Sequence, residues 1–132
     1  FLSAIKETPM KLTHVAAATL FIVTASVASA HAPKVGANGG SQADAGNFHV
    51  EVVPQGTTLV VFLRDHSDKA VLTDGHRGTA IFVIDGKPQR IPLAPAGENK
   101  LTGTSAVSIP SEPKGAVQIT TPTGSTVQAK FN

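Results

Sequence analysis

The chain contains no cysteine, no tryptophan and no tyrosine among its 132 residues. Without cysteine it cannot form a disulfide, a thiolate zinc site or an iron–sulfur cluster, and it offers no cysteine nucleophile. Charged residues make up only 15%. The chain has 11 basic and 9 acidic residues, and its Lys and Arg form no cluster along the sequence. It therefore offers little concentrated positive charge with which to neutralise the phosphates of a nucleic acid. We therefore expect no nucleic-acid partner.

The motifs of common enzyme classes are also missing. The sequence has no G-x-S-x-G, no H-E-x-x-H, no P-loop and no G-x-G-x-x-G. A pair of carboxylates could hydrolyse a glycoside only within a sugar-binding cleft, and no Trp or Tyr is present to line one. We expect a protein that is not an enzyme and that has no organic cofactor.

An apolar segment near the N-terminus predicts an export signal. Lys11 follows Met10, the apolar stretch Val15–Val27 comes next, and Ala28–Ala30 supplies a small-x-small cleavage site. As a helix this stretch would rise only about 20 Å, less than the ~30 Å hydrocarbon core of a bilayer. We predict cleavage after Ala30, a periplasmic or secreted protein, and no stable membrane span after processing.

The chain then divides into three parts. Residues 1–30 comprise the signal and the segment Phe1–Pro9 ahead of Met10, to which we assign no function. Residues 31–46 are rich in Gly, Ala, Asn and Ser without periodicity, and we predict a flexible N-terminal arm. Residues 47–132 contain short apolar or alternating segments, which predict one β-domain.

Seven of these segments predict strands separated by Gly, Pro and Asp turns. They are Asn47–Val53, Leu59–Arg64, Ala80–Ile84, Lys87–Leu93, Leu101–Ile109, Ala116–Thr121 and Thr126–Phe131. Asp85-Gly86 is the strongest hairpin signal, and Pro88 and Pro92 assign the strand after it to an edge. The fold predicted is all-β: a small sandwich or Greek-key barrel of about six to seven antiparallel strands.

Metal binding is the chemistry that the histidines offer. Cleavage after Ala30 would make His31 the first residue, where its α-amine and ring nitrogen form a chelate suited to Cu(II). A mobile terminal residue that binds nothing is the alternative. His49 and Glu51 share one face of a predicted strand, so Glu51 could be a second ligand or an outer-shell partner of His49. The alternative is a half-buried histidine whose ring is hydrogen bonded.

A third group of candidate ligands lies between two predicted strands. His66 and His76, with Asp65 or Asp74, could form a loop site for Cu(II), Zn(II) or Ni(II). The alternative is a pair of polar turns, because Asp and Gly favour turns for backbone reasons. Spacing cannot decide between these interpretations, since ligands on a sheet come from different strands.

Four short segments carry a family resemblance. They are Asn47–Val53, Leu59–His66, Leu101–Gly103 and Val127–Phe131. In them the chain resembles small periplasmic proteins encoded beside heavy-metal efflux systems. Members of that group carry a His-rich arm before a Gly-Gly pair; here Gly39-Gly40 is present, and the arm holds only His31. The resemblance implies a metal-resistance context, with an efflux component or another envelope protein as partner.

Two hypotheses follow. The first is an exported, non-catalytic carrier, buffer or efflux accessory that binds copper or another divalent transition metal. Its nitrogen ligands would come from His31, His49, His66 and His76, and its oxygen ligands from Asp65 or Asp74. The second is a metal-free β-sandwich module of the cell envelope, which would dock on a partner by strand addition.

Overall fold

The computed structural model describes residues 34–132, and this part of the chain consists of strands, turns and loops. Its nine strands are β1 (Lys34–Val35), β2 (Ser41–Ala45), β3 (Phe48–Gln55), β4 (Thr58–Asp65), β5 (Arg77–Ile84), β6 (Lys87–Pro95), β7 (Lys100–Thr104), β8 (Lys114–Thr120) and β9 (Thr126–Phe131). Within the described residues no helix could cross a bilayer. The predicted signal, its cleavage site and His31 lie outside them.

The strands form one continuous antiparallel sheet in the order β1-β2-β3-β4-β7-β6-β5-β8-β9. β6 joins its two halves, because it pairs with β5 along most of its length but with β7 only at Ala94 and Pro95. The sheet curls until β9 lies against β2 without pairing to it, so that Gly46 adjoins Val127. The all-β prediction is confirmed. The sandwich of six to seven strands is wrong, since nine strands curl into a half-barrel.

The strand count differs because the segment predicted as a flexible arm supplies β1 and β2. β2 pairs with β3 along its whole length, from Ser41 opposite Val52 to Ala45 opposite Phe48. Its inward side chains are the small Ala43 and Ala45, which pack on the core without forming a recognisable apolar pattern. The pairing with β3 therefore supplies the order that the local sequence does not indicate.

The seven predicted strands correspond to β3–β9. Asp85 and Gly86 both have positive φ, 52° and 75°, as a two-residue type I′ hairpin requires. β6 is not an edge strand of the sheet, yet Pro88 and Pro92 lie in its β5-paired part, away from the residues that pair with β7. Proline has no backbone N–H to donate. Because these two prolines lie outside the β6–β7 pairing, they remove no hydrogen bond between those two strands.

The core fills the inside of the curl. Alternate residues of the long strands point inward and are buried, among them Leu59, Val61 and Leu63 of β4. Phe82 and Phe131 meet edge to face at its centre, with ring centroids 6.3 Å apart. The outer face is left free to carry polar side chains, and His49 and Glu51 lie on it.

Candidate functional site

His49 lies on the outer face of β3, between two neighbouring strands. The register places it opposite Asp44 of β2 and opposite Arg64 of β4. Its Nδ1 atom is 2.6 Å from Oδ1 of Asp44. A carboxylate can only accept at this contact, so Nδ1 carries the proton and donates. In the neutral imidazole, Nε2 is then left with the free lone pair that a metal ion needs.

A tight loop after β4 brings two more polar side chains to His49. Oδ1 of Asp65 accepts hydrogen bonds from the backbone N–H groups of Ser67 and Lys69, at 2.8 and 3.0 Å. The N–H of Asp65 donates to the carbonyl of Lys69, which closes the loop. Asp68 takes up a left-handed conformation, with φ of 60°. These hydrogen bonds of Asp65 hold the loop in a closed conformation. In this conformation, side chains of the loop lie near β3.

His66 and Asp68 are the side chains presented. Oδ1 of Asp68 lies 3.8 Å from Nε2 of His49, and the rings of His49 and His66 meet at right angles with centroids 5.4 Å apart. We call Asp44, His49, His66 and Asp68 the His49 cluster. The His49 side chain is 19% exposed and that of Asp68 is 73% exposed. The cluster therefore has a sheltered base and an open rim.

The spacing of these atoms fits metal coordination in part. Two ligands that each bind one ion at about 2.0–2.2 Å lie roughly 3–4 Å apart, which the Nε2–Oδ1 separation satisfies. Within residues 34–132, no three His, Asp or Glu side chains are already gathered as a complete ligand set. A three-ligand site therefore requires His66 to turn a ring nitrogen towards the space between His49 and Asp68.

His76 does not join the cluster. It is 9% exposed, and its ring packs at right angles on Phe48 with centroids 6.1 Å apart. Phe48 and His49 are consecutive in a strand, so their side chains lie on opposite faces of the sheet. Nδ1 of His76 lies 3.3 Å from the carbonyl oxygen of Asp74, within the turn that precedes β5. His76 and Asp74 belong to that turn, and His76 lies across the sheet from His49.

Glu51 is hydrogen bonded to the turn between β1 and β2, and not to His49. It shares the outer face with His49 but is only 2% exposed. Its carboxylate accepts three hydrogen bonds of 2.9–3.0 Å, from the N–H groups of Asn38 and Gly40 and from the Asn38 amide. A Cβ on Gly36 would lie 2.2 Å from Glu51 Cδ, so a side chain at this position would displace the carboxylate that the β1–β2 turn covers. Glu51 anchors that turn.

Sequence reasoning omitted Asp44 and Asp68 from the site. Asp44 lies in the segment predicted as an arm, although its place between Ala43 and Ala45 gives it the alternation of a strand. Asp68 lies in a recognised turn, and only the closed loop brings it to His49. Both depend on contacts between strands that are not specified by spacing along the chain.

Neither family models, nor curated proteins, nor solved structures yield a match to this chain.

Proposed function

We propose that this protein is an exported, non-catalytic metal-binding protein that takes one divalent transition ion at the His49 cluster. The observation that carries the proposal is the Asp44–His49–Asp68 arrangement. One carboxylate holds Nδ1, and the other lies next to Nε2. A ligating histidine is commonly held in this way, with its second nitrogen donating to a carboxylate that fixes the ring and raises its basicity.

Each member of the cluster has a distinct part. His49 is the fixed ligand, because it stands on a paired strand and is held by Asp44. Asp68 and His66 lie on an exposed loop and complete the site when an ion arrives. Mixed nitrogen and oxygen ligation suits Zn(II) or Cu(II). Ligands on an open loop permit release, which a carrier, buffer or efflux accessory requires and a structural site does not.

The test is calorimetric titration of the protein with Zn(II) and with Cu(II). We expect binding to weaken more than about tenfold in His49→Gln and in Asp68→Asn. Asn accepts the left-handed backbone of Asp68, so the second variant keeps the loop. Asp74→Asn is the matched control, because it removes the same charge from an exposed turn outside the cluster. Equal affinity in the wild type, His49→Gln and Asp68→Asn would overturn the proposal.

A variant with an extended N-terminus distinguishes metal binding at the His49 cluster from metal binding at His31. The exported protein, with its N-terminus established by mass, is compared with a form carrying an additional Ala before His31. An N-terminal Cu(II) chelate would be lost in the extended form, since the α-amine moves away from the ring. The His49 cluster predicts retained Zn(II) binding in both forms.

A metal-free interaction module is the second candidate function. The observation that favours it is the seam of the half-barrel, where β9 pairs with β8 on one side and lies against β2 without pairing on the other. An unpaired strand edge can receive an extended segment of a partner. No Zn(II) or Cu(II) binding, together with protection of β9 amides from hydrogen exchange by a bound partner, would select this function.

A further inference from the structure

The half of the sheet away from the His49 cluster is uniformly basic. Strands β5, β6, β8 and β9 contain no Asp or Glu. Their cations are Arg77, Lys87, Arg90, Lys114 and Lys130, all exposed. By contrast, β2, β3 and β4 carry Asp44, Glu51 and Asp65. The acidic residues of the strands thus all lie in one half of the sheet, where Lys34, Arg64 and Lys100 accompany them, and the net charge of the chain is +2.

The strand register arranges most of these cations on one surface. Ala80 and Phe82 of β5 point into the core, so Ile81 and Val83 point outward. Ile81 pairs with Arg90 of β6 and with Ala116 of β8, and Ala116 pairs with Lys130 of β9. At a strand spacing of about 4.8 Å, this row spans roughly 14 Å with a cation at each end.

Of the other rows, two carry one cation each, and the row of Pro92, Thr79, Gln118 and Gln128 carries none. Val83, which is 54% exposed, pairs with Pro88 and with Lys114. Arg77 begins β5 opposite Thr120. We call this outer surface of β5, β6, β8 and β9 the basic face. Its apolar patch consists of Ile81, Val83 and Ala116, which Arg90, Lys114 and Lys130 flank, and the polar Thr79, Gln118 and Gln128 lie beside that patch.

Within residues 34–132, no carboxylate forms an ion pair with a cation of the basic face. In the described part of the chain, the close acid–base contacts are those of His49 with Asp44 and with Asp68. The carboxylates of Asp85 and Glu112 stand outside the four strands, in the β5–β6 turn and in the loop before β8. The positive charge of the face is therefore available to an outside partner.

We propose that the basic face docks on the surface of a bilayer containing anionic lipids. Cations around exposed apolar side chains match a headgroup layer, where the charges meet lipid phosphates and the apolar groups enter the interface. Single-stranded nucleic acid fits less well, because it is held by stacking on aromatic rings and Phe82 and Phe131 of these strands are buried in the core. This docking does not depend on the His49 cluster, which lies on the other half of the sheet.

Co-sedimentation with vesicles tests the proposal. Vesicles of phosphatidylcholine alone are compared with vesicles that also contain phosphatidylglycerol, at low and at high salt. We expect the full chain to bind the anionic vesicles more tightly than the neutral ones, and salt to remove the difference. In Arg90→Gln/Lys130→Gln, the affinity for anionic vesicles should fall roughly 25-fold, at about fivefold per charge.

The matched control is Lys34→Gln/Lys100→Gln, which removes the same charge from the other half of the sheet. We expect it to lose less than about threefold. All forms share one N-terminal segment, so differences between them report on the sheet, and thermal unfolding verifies that each is folded. Equal losses in both double variants, equal binding to neutral vesicles, or tighter binding to a single-stranded oligonucleotide than to anionic vesicles would each overturn the proposal.

Discussion

The imidazole of His49 and the carboxylate of Asp44 face each other across β2 and β3, with Nδ1 and Oδ1 2.6 Å apart. The contact determines which ring nitrogen carries the proton, and it points the other nitrogen towards the loop that bears His66 and Asp68. A residue pair on two rigid strands thus prepares one ligand, while the exposed loop supplies the others. Because each residue has a separate role, single substitutions can test the roles one by one.

Replacing Asp44 by Asn should weaken metal binding without unfolding the protein. The amide can still accept a hydrogen bond, but it lacks the negative charge of the carboxylate that holds the His49 ring. We expect Zn(II) affinity to fall about 10–100-fold, the usual effect of removing such a partner. The free energy of unfolding should change by less than about 1 kcal/mol, because the pair is near the surface. Calorimetry and urea unfolding measure the two quantities. Unchanged affinity in Asp44→Asn would remove the role assigned to Asp44.

Zinc should stabilise the protein near neutral pH and not in acid. An ion that binds only the folded state adds about 2.7 kcal/mol of stability at 100 times its dissociation constant. Protons compete with a metal ion for histidine nitrogens, so this stabilisation should be present at about pH 7.5 and absent at about pH 5. Thermal unfolding with and without Zn(II) measures it. A zinc-dependent rise that persists in His49→Gln would place the ion elsewhere.

Replacing Glu51 by Gln should destabilise the fold and leave metal binding intact. The buried carboxylate accepts three hydrogen bonds from the β1–β2 turn, and an amide NH₂ group would turn a donor towards those donors. We expect a loss of about 2–3 kcal/mol in urea unfolding. Glu112→Gln, in an exposed loop, is the control and should change stability little. A tenfold loss of Zn(II) affinity in Glu51→Gln would instead make Glu51 part of the metal site.

The position of Glu51 illustrates what the alternation of side chains along a strand can and cannot predict. Alternation correctly gives Glu51 and His49 the same face, because side chains of a strand change sides at every residue. It does not predict that the turn after Gly36 folds over Glu51 and buries it. That burial follows from close backbone approach at Gly36 and Gly40, which a pattern of apolar residues does not contain.

The same limit accounts for the rest of the difference between sequence and structure. β3–β9 were predictable because their apolar alternation and turns are local, as at Asp85-Gly86. β2 was not, because Ser41–Ala45 contains no large apolar side chain and owes its order to pairing with β3. Within the cluster, His49 and His66 were identified by residue type. Asp44 and Asp68 required the register and the loop closure.

Replacing Gly103 by Ala should destabilise the junction between the two halves of the sheet. Gly103 lies in the segment Leu101–Ile109 that the sequence predicts as a strand, and in the structure it permits close approach between β7 and β6. A Cβ at Gly103 would lie 2.3 Å from the carbonyl oxygen of Pro92 and 2.8 Å from Cγ2 of Ile91. Because the nearer atom belongs to the backbone, β6 or β7 must shift, at a cost of about 1–3 kcal/mol or more.

The shift should lower the local stability at the β6–β7 junction, where the two halves of the sheet join. β7 pairs with β6 only at Ala94 and Pro95, so few ladder bonds oppose a displacement there. In Gly103→Ala we expect faster amide hydrogen exchange in β7, together with a lower urea midpoint. Thr102→Ala is the control, since residue 102 faces away from the core on the same strand and its truncation meets no backbone. Unchanged or increased stability in Gly103→Ala would mean that close packing does not account for the glycine, because alanine is the more favourable residue within a strand.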